Sequence, residues 1–255
     1  MQNNKIIIAN WKMNPLTEKD AGKLFTQIAK NLSVLRKTEV VICPPFIYLE
    51  KLKKFSRKII LGAQNAFRGD TGAFTGEVSS AMLYELGVRY VILGHSERRA
   101  RGENNDDINK KIKSALSAGL QPILCVGENI RDEEHGYFKI VQEQVENCLA
   151  GISKNFMAKI IIAYEPVWAI SSTPNRRDAT AEDSHEMAIF IRKVLADKFG
   201  KESAKVKILY GGSANERDAG EFISRGGVDG FLVGRASLSA EKFSKIITIC
   251  EASRN

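Results

Sequence analysis

The chain has 255 residues, of which 44% are hydrophobic and 27% charged, and its formal net charge is +8. This composition suits one large domain or two small ones, with an ample core. Because no apolar run approaches the roughly 18 residues of a bilayer span, we expect no membrane partner. The basic residues are scattered and not interleaved with aromatic ones, so we expect no nucleic-acid partner. Their charge indicates a solvated surface or, as an alternative, the steering of an anionic substrate.

Short apolar runs recur along the chain, and each predicts a β-strand. Their length and aliphatic content are typical of strands buried on both faces of a parallel sheet. They occupy residues 5–9, 39–43, 59–63, 90–93, 122–126, 159–163, 206–210 and 230–233. The residues before the first run show neither a basic n-region nor a small-residue cleavage site, so we expect no signal peptide and a cytoplasmic protein.

Segments with helical spacing lie between most of these strands. The residues that share one helix face are Leu24, Ile28 and Leu32; Ile108, Ile112 and Leu116; Ile140, Gln144 and Cys148, joined by Val141 and Val145; and Met187, Ile191 and Val194. Thr17 and Thr180, each with an aspartate three positions later, predict helix starts. Gly119 and the Gly226-Gly227 pair predict helix ends.

The alternation of eight strands with helices over about 250 residues predicts an α/β protein with one closed (β/α)8 barrel, a single domain over residues 1–255. An open, doubly wound sheet is the alternative. It is less favoured because no Gly-x-Gly-x-x-Gly turn follows the first strand. No linker or low-complexity segment marks a second domain.

The four cysteines, at positions 43, 125, 148 and 250, are far apart and form no Cys-x-x-Cys pair. This spacing predicts neither a zinc site nor a disulfide framework. Cys43 and Cys125 lie at strand ends, where we expect small buried hydrophobic side chains. No metal-ligand spacing occurs elsewhere, so we expect no metal.

Two titratable residues follow buried strands. Glu165 comes after the run KIIIAY, and His95 comes after YVILG. In a parallel barrel the residues after each strand share one mouth, so both side chains are expected at the same rim. A carboxylate and an imidazole placed there can act as base and electrophile on one small molecule. The competing interpretations are a solvated acid and a structural histidine.

Other residues after the strands indicate an anionic substrate. Asn10 and Lys12 follow the first strand, and their spacing of two places both on one side of an extended backbone. A lysine there holds an anion or stabilises developing negative charge, although a surface lysine is the simpler interpretation. Glycine-rich turns follow the last two strands, at residues 211–213 and 234–235, where barrels bind phosphate through backbone N–H groups.

Six motifs occur in a fixed order along the chain. They are NWKMN at residues 10–14, GAFTGE at 72–77, GHSERR at 94–99, CVGE at 125–128, AYEPVWAI at 163–170 and YGGS at 210–213. From Asn10 to Leu238 the chain resembles the triosephosphate isomerase family. The resemblance implies a TIM barrel and an intramolecular oxidoreductase of glycolysis and gluconeogenesis. This enzyme interconverts dihydroxyacetone phosphate and D-glyceraldehyde 3-phosphate without a metal or organic cofactor.

The resemblance implies roles for the residues at the mouth. Glu165 looks like the base that moves a proton through an enediolate, and His95 looks like the electrophile, a pairing for which this family is itself the usual illustration. Lys12 and Asn10 resemble the family's polar contacts to the substrate, with Lys12 supplying positive charge. Glu97 is similar to the family's buried acid beside that lysine.

A mobile lid is also implied by the resemblance. Pro166 and Trp168 look like its start, and Glu128 looks like the partner of Trp168. Tyr210 and Ser213 are similar to the residues that latch the lid when it closes. A lid of this kind excludes water from an intermediate that readily loses phosphate.

The expected phosphate contacts are Ser171, Ser213, Gly234 and Arg235. Ser171 opens a lid tip, residues 171–179, that lacks the family's glycine-rich stretch and contains Pro174, which is expected to alter closure. Arg235 replaces a glycine of the family pattern, and a positive φ there would be costly for arginine. Its guanidinium either turns into the mouth to pair with phosphate or points outward, and we favour the outward orientation.

The resemblance further implies a homodimer. Gln64, Asn65 and the loop through Thr75 look like the family's dimer contact, in which the loop enters the neighbouring subunit near Lys12. The loop carries phenylalanines that would be poorly placed in water.

Two other functions remain open from the sequence. One is a different phosphate-binding barrel, such as a lyase that uses Lys12 as a Schiff base. The other is a catalytically impaired barrel that binds acidic polymers, which the net charge of +8 would suit. The intact set of Asn10, Lys12, His95 and Glu165 favours the isomerase.

Overall fold

Eight parallel strands close into a barrel in the computed structural model, which describes residues 4–32, 37–55, 58–170 and 177–253. Each strand pairs with the next in sequence, and the eighth pairs with the first. The strands are β1 (Lys5–Asn10), β2 (Thr38–Cys43), β3 (Ile60–Ala63), β4 (Tyr90–Leu93), β5 (Gln121–Val126), β6 (Ile161–Tyr164), β7 (Lys207–Tyr210) and β8 (Gly230–Val233). The predicted (β/α)8 barrel is confirmed, and the open sheet is wrong.

Helices alternate with the strands along the described residues. They are α1 (Glu18–Asn31), α2 (Leu49–Lys53), α3 (Ser80–Glu85), α4 (Ser96–Arg99), α5 (Asn105–Ser117), α6 (Gly136–Cys148), α7 (Ala181–Phe199), α8 (Ala219–Arg225) and α9 (Ala240–Ala252). The predicted starts are confirmed because the hydroxyls of Thr17 and Thr180 accept hydrogen bonds from backbone N–H groups of the first turns of α1 and α7. Gly119, with φ of 91°, and Gly227, with φ of 68°, follow the ends of α5 and α8.

Two predicted details are wrong. The sixth strand begins at Ile161 rather than at residue 159, because Lys154–Lys159 form a 3-10 helix that ends directly before it. The apolar face of α6 excludes Ile140, which is exposed. The buried residues of α6 are Tyr137, Val141, Val145 and Cys148. Because the helix begins at Gly136, Tyr137 lies in its first turn and is the first residue of the buried face.

The core has two layers that follow the alternation of side chains along each strand. In β1, Ile6 and Ile8 point into the barrel, whereas Ile7 and Ala9 pack against the surrounding helices. All four are buried, which explains why the strands appear as continuous apolar runs. All neighbouring strands pair in parallel, so their carboxyl ends open on one mouth.

The four cysteines are free and buried, as expected for Cys43 and Cys125. Burial raises the pKa of both of these thiols well above the ordinary range, so they stay protonated at neutral pH. Across the described ranges, no three histidine, cysteine or acidic side chains are grouped to hold a metal ion. In the same residues, no helix combines the length and the apolar character needed to cross a membrane.

Candidate active site

The mouth of the barrel contains a cavity of about 400 Å³. It lies at the carboxyl ends of the strands, where the sequence predicts the chemistry. Seven of the predicted site residues line it: Asn10, Lys12, His95, Glu165, Ser213, Gly234 and Arg235. The cavity therefore unites the predicted titratable pair with both glycine-rich turns.

Glu165 and His95 contact one another at the wall of this cavity. His95 Nε2 lies 3.1 Å from Glu165 Oε1, and the backbone N–H of Ser96 donates to Glu165 Oε2 over 2.9 Å. Both residues are buried, at 2% exposure for Glu165 and 7% for His95. Neither is a freely solvated side chain, so the interpretation of Glu165 as a solvated acid is wrong.

Glycines bring the neighbouring strands close to Glu165. A Cβ on Gly127 would lie 1.8 Å from the Glu165 carbonyl oxygen, and one on Gly211 would lie 2.9 Å from its Cγ. The Glu165 N–H also donates to the Val126 carbonyl over 2.7 Å. The position of the carboxylate is therefore set by backbone packing between β5, β6 and β7.

The hydrogen bonds of His95 assign its tautomer. The Glu97 backbone N–H donates to His95 Nδ1 over 3.2 Å, so Nδ1 carries the lone pair. The ring proton of a neutral imidazole is then on Nε2, which faces Glu165. His95 thus presents an N–H donor to the cavity without needing to be positively charged.

Lys12 has an unusual backbone. Its φ is 52°, and among the described residues only His135 shares a positive φ without being glycine. The backbone N–H of Lys12 donates a hydrogen bond to Asn10 Oδ1 over 3.1 Å, and its carbonyl accepts one from Gln64 Nε2 over 2.8 Å. Strain of this kind persists where surrounding contacts hold it, which is common at functional sites.

The side chain of Lys12 pairs with Glu97 across the mouth. Lys12 Nζ lies 2.6 Å from Glu97 Oε1. Burial acts to raise the Glu97 pKa, but the hydrogen bond and charge of Lys12 outweigh it, so the pKa is lowered. The expectation that Glu97 is buried is wrong for the single chain, because its side chain is 45% exposed at the open edge of the mouth.

The glycine-rich turns line the same cavity, with Gly211 beside Glu165 and Gly234 beside Lys12. The Ser213 hydroxyl donates to the Ala169 carbonyl over 2.8 Å, which joins the β7 turn to the start of the predicted lid. Arg235 is exposed and begins the 3-10 helix Arg235–Leu238 with an ordinary negative φ. The expected strain is therefore wrong, because the turn needs no left-handed residue at that position. Ser171 lies outside the described residues.

The start of the predicted lid is anchored on a buried carboxylate. Pro166 precedes the 3-10 helix Val167–Ala169, and Trp168 Nε1 donates to Glu128 Oε1 over 2.7 Å. The Tyr164 hydroxyl donates to the same oxygen over 2.9 Å. Burial raises the pKa of Glu128. Tyr210 is also buried.

Residues of the predicted dimer contact lie beside the mouth. Gln64 Nε2 bridges the Lys12 and Cys43 carbonyls, at 2.8 and 2.9 Å. Asn65 Oδ1 accepts from Lys111 Nζ over 3.0 Å. Thr75 is exposed, and Phe74 remains 49% exposed.

The sequence patterns do not predict the contacts of two arginines that support the site. Arg131 packs over the Trp168 ring and pairs with Asp183 at 2.7 Å. Arg99 bonds to the carbonyls of Gly94 and Cys125. Both lie in or beside the motifs, but nothing in their spacing identifies what they contact.

Comparisons with known proteins identify the family of this chain. The family model of triosephosphate isomerase matches residues 5–250. The triosephosphate isomerase of Thermoanaerobacter pseudethanolicus is 43% identical over 247 residues, which cover 95% of this chain and 98% of the relative. That of Carboxydothermus hydrogenoformans is 46% identical over 246 residues, covering 94% and 96%.

A solved structure is similar over the same length. The crystal structure of triosephosphate isomerase from Bartonella henselae superposes with a TM-score of 0.86 at 36% identity, and covers 96% of this chain and 98% of that one. The matches include both the barrel and the loops at its mouth. The chain therefore belongs to the triosephosphate isomerase family.

Proposed function

We propose that this enzyme interconverts dihydroxyacetone phosphate and D-glyceraldehyde 3-phosphate with Glu165 as the base and His95 as the electrophile. The observation that carries the assignment is the 3.1 Å contact between Glu165 Oε1 and His95 Nε2 at the wall of the cavity of about 400 Å³. A base and a hydrogen-bond donor held at this spacing reach a carbon and its oxygen in one small substrate.

Proton transfer follows from the positions of the two groups. Glu165 takes a proton from C1 of dihydroxyacetone phosphate, and the electron pair moves onto the carbonyl oxygen to give an enediolate. The same carboxyl returns the proton to C2, which yields glyceraldehyde 3-phosphate. Before that return, His95 Nε2 gives its proton to the C2 oxygen and takes the hydroxyl proton from the C1 oxygen, which becomes the aldehyde oxygen, so the ring ends neutral. Nδ1 takes no part, because it accepts the Glu97 N–H.

Lys12 and Asn10 stabilise the negative charge that develops on oxygen. Both line the cavity, and the Asn10 side chain holds the backbone of Lys12. The Lys12 ammonium is positioned by Glu97 at 2.6 Å. Charge placed before the reaction begins stabilises the enediolate without reorganisation during the step.

We assign the substrate phosphate to the glycine-rich turns. Ser213 and Gly234 line the cavity, and the backbone contacts to phosphate are assigned to them and to Ser171. Pro166 and Trp168 begin the lid, Glu128 anchors it, and Tyr210 and Ser213 latch it. In this family, whose lid is itself a common illustration of gating, closure excludes water from the intermediate.

A coupled assay tests the proposal directly. Purified enzyme with dihydroxyacetone phosphate and glyceraldehyde 3-phosphate dehydrogenase is expected to produce NADH at a rate proportional to the isomerase concentration. Borohydride added with substrate is expected to leave activity intact, since the mechanism forms no Schiff base on Lys12. Absence of isomerase activity would contradict the proposal, and substrate-dependent inactivation by borohydride would favour the lyase.

The same proposal includes a homodimer of single-domain subunits, residues 1–255, that acts in the cytoplasm. Its support is an apolar surface beside the mouth: Met13 is 93% exposed and Leu16 is 94% exposed, close in sequence to Lys12. A partner's loop through Thr75 would cover this surface together with the exposed side of Glu97. The cytoplasmic assignment rests on the charged, phosphorylated substrate, and cell fractionation tests it.

A further inference from the structure

The guanidinium of Arg99 spans two strand ends at the mouth. Its Nε donates to the Gly94 carbonyl over 2.8 Å, and its Nη2 donates to the Cys125 carbonyl over 3.2 Å. Gly94 directly precedes His95, and Cys125 lies near the end of β5. One planar side chain therefore holds the ends of β4 and β5 together.

This bridge lies where the regular pairing of the two strands stops. The β4–β5 register ends at Leu93 with Leu124, so Gly94 and Cys125 would be the next pair. Gly94 has a φ of 71°, which turns the chain away from the sheet and into α4. Arg99 supplies side-chain donors at the point where backbone donors no longer connect the strands.

The bridge reaches both members of the catalytic pair. On the β4 side, the Gly94 carbonyl belongs to the peptide unit that contains the His95 nitrogen. On the β5 side, Val126 follows Cys125, and its carbonyl accepts the Glu165 N–H over 2.7 Å. The distance between His95 Nε2 and Glu165 Oε1 thus depends on the separation of these strand ends.

Arg99 is itself fixed by other elements. Its Nη1 donates to Asn105 Oδ1 over 2.7 Å at the start of α5, and its Nη2 lies 3.7 Å from Cys148 Sγ at the end of α6. The backbone N–H of Arg99 donates to the His95 carbonyl over 3.0 Å. The rigid fork of guanidinium donors suits this divergent set of acceptors, which a single ammonium group cannot match.

We propose that Arg99 is a positioning residue for the isomerisation. By joining the Gly94 and Cys125 carbonyls, it sets the spacing of His95 and Glu165. Arg99 does not line the cavity, so its effect falls on turnover rather than on phosphate binding. The inference rests on the proposed function, because it assumes that this pair moves the proton.

The test compares Arg99→Met and Arg99→Lys with a matched control, Arg192→Met. Arg192 also bridges a carbonyl and a further acceptor, Gly227 O at 3.1 Å and Asp229 Oδ2 at 3.2 Å, but before β8 at the opposite end of the barrel. All variants are assayed well below their melting temperatures, and inorganic phosphate is used as a competitive probe of the phosphate site.

Arg99→Met is expected to lower kcat by about tenfold to a hundredfold, because small misplacements of catalytic groups cost this much. KM and the phosphate inhibition constant are expected to stay within about threefold. Arg99→Lys should recover part of kcat, and Arg192→Met should lower Tm while kcat stays near wild type. The NMR signal of the His95 Nε2 proton should shift or broaden in Arg99→Met alone.

Wild-type kcat in folded Arg99→Met would overturn the inference, as would an equal loss in Arg192→Met. If Arg99→Met does not fold, the inference is tested with Arg99→Lys instead. A kcat lowered about threefold to tenfold with unchanged KM supports the inference, and an unchanged kcat overturns it. An inactive wild-type enzyme would instead be a failure of the proposed function. The two failures are therefore distinguishable.

Discussion

Glu165 shows how a common side chain becomes a candidate base. A glutamate is usually exposed, but this one is buried and accepts a backbone hydrogen bond from Ser96. Its second oxygen contacts His95 Nε2. Both carboxylate oxygens are therefore engaged by protein groups in this state, and the contact between Glu165 and His95 has to give way when a substrate lies between them.

His95 is expected to be neutral in the resting enzyme. The Glu97 N–H needs an acceptor at Nδ1, and an imidazolium has none to offer. Two-bond ¹H–¹⁵N NMR at neutral pH should show an unprotonated Nδ1 and a protonated Nε2, with the signals assigned by their loss in His95→Gln. Protonation of both nitrogens at neutral pH would contradict the assignment.

Arg235 is expected to contribute little to substrate binding. Its side chain is exposed at the rim of the cavity, where screening weakens long-range attraction. Arg235→Gly should therefore leave KM within a few fold, and Arg235→Gln separates the loss of charge from the added backbone freedom. A direct charge-assisted contact is worth about 1.5–3 kcal/mol. A tenfold rise in KM in both variants would show that the guanidinium binds phosphate.

The sequence predicts these residues well for a physical reason. Glu165 and His95 follow uninterrupted apolar runs, and the direction of a parallel strand alone places their side chains at the mouth. Exposure is less predictable, as Glu97 shows, because it depends on which loops cover a side chain. The contacts of Arg99 join residues 5 and 26 positions away, and no local pattern encodes them.

At the level of elements, the start of the lid is held by a buried charge. Glu128 Oε1 accepts hydrogen bonds from Trp168 and Tyr164, and Arg131 Nε lies 3.4 Å away. Burial of this carboxylate is costly unless such donors are present. The arrangement ties the 3-10 helix Val167–Ala169 to the loop after β5.

Trp168→Phe is expected to destabilise the protein more than Trp11→Phe does. The first change removes a donor to a buried carboxylate, worth about 1.5–3 kcal/mol, or roughly 3–10 °C in Tm. The second is a matched control, since Trp11 is equally large and buried but its Nε1 has no partner in the described part of the chain. Calorimetry measures both. Equal losses in Tm would mean that the Glu128 contact contributes nothing.

At the level of the whole molecule, several exposed apolar side chains lie in the loops that follow the first three strands. Met13 and Leu16 follow β1, Ile47 follows β2, and Phe74 follows β3. Phe74 keeps one contact within the chain, with its ring 4.5 Å from that of Phe67. Apolar surface collected in one region is typical of a contact between protein chains.

A dimer is therefore expected by light scattering at micromolar concentration. Phe74→Asp should shift the population toward monomer, because a carboxylate in an apolar interface has no partner. Ile189→Asp is the matched control, since Ile189 is an apolar side chain of similar exposure but lies on α7. A wild-type protein that is only monomeric would rule out the dimer.

The kinetics of Glu165→Asp test the central claim most directly. This change keeps the charge and withdraws the carboxylate by one methylene from the carbon it must reach. Turnover should fall about a hundredfold or more while KM changes only a few fold, because position matters to the transition state far more than to ground-state binding. Near wild-type turnover in a folded Glu165→Asp enzyme would contradict the assignment of Glu165 as the base.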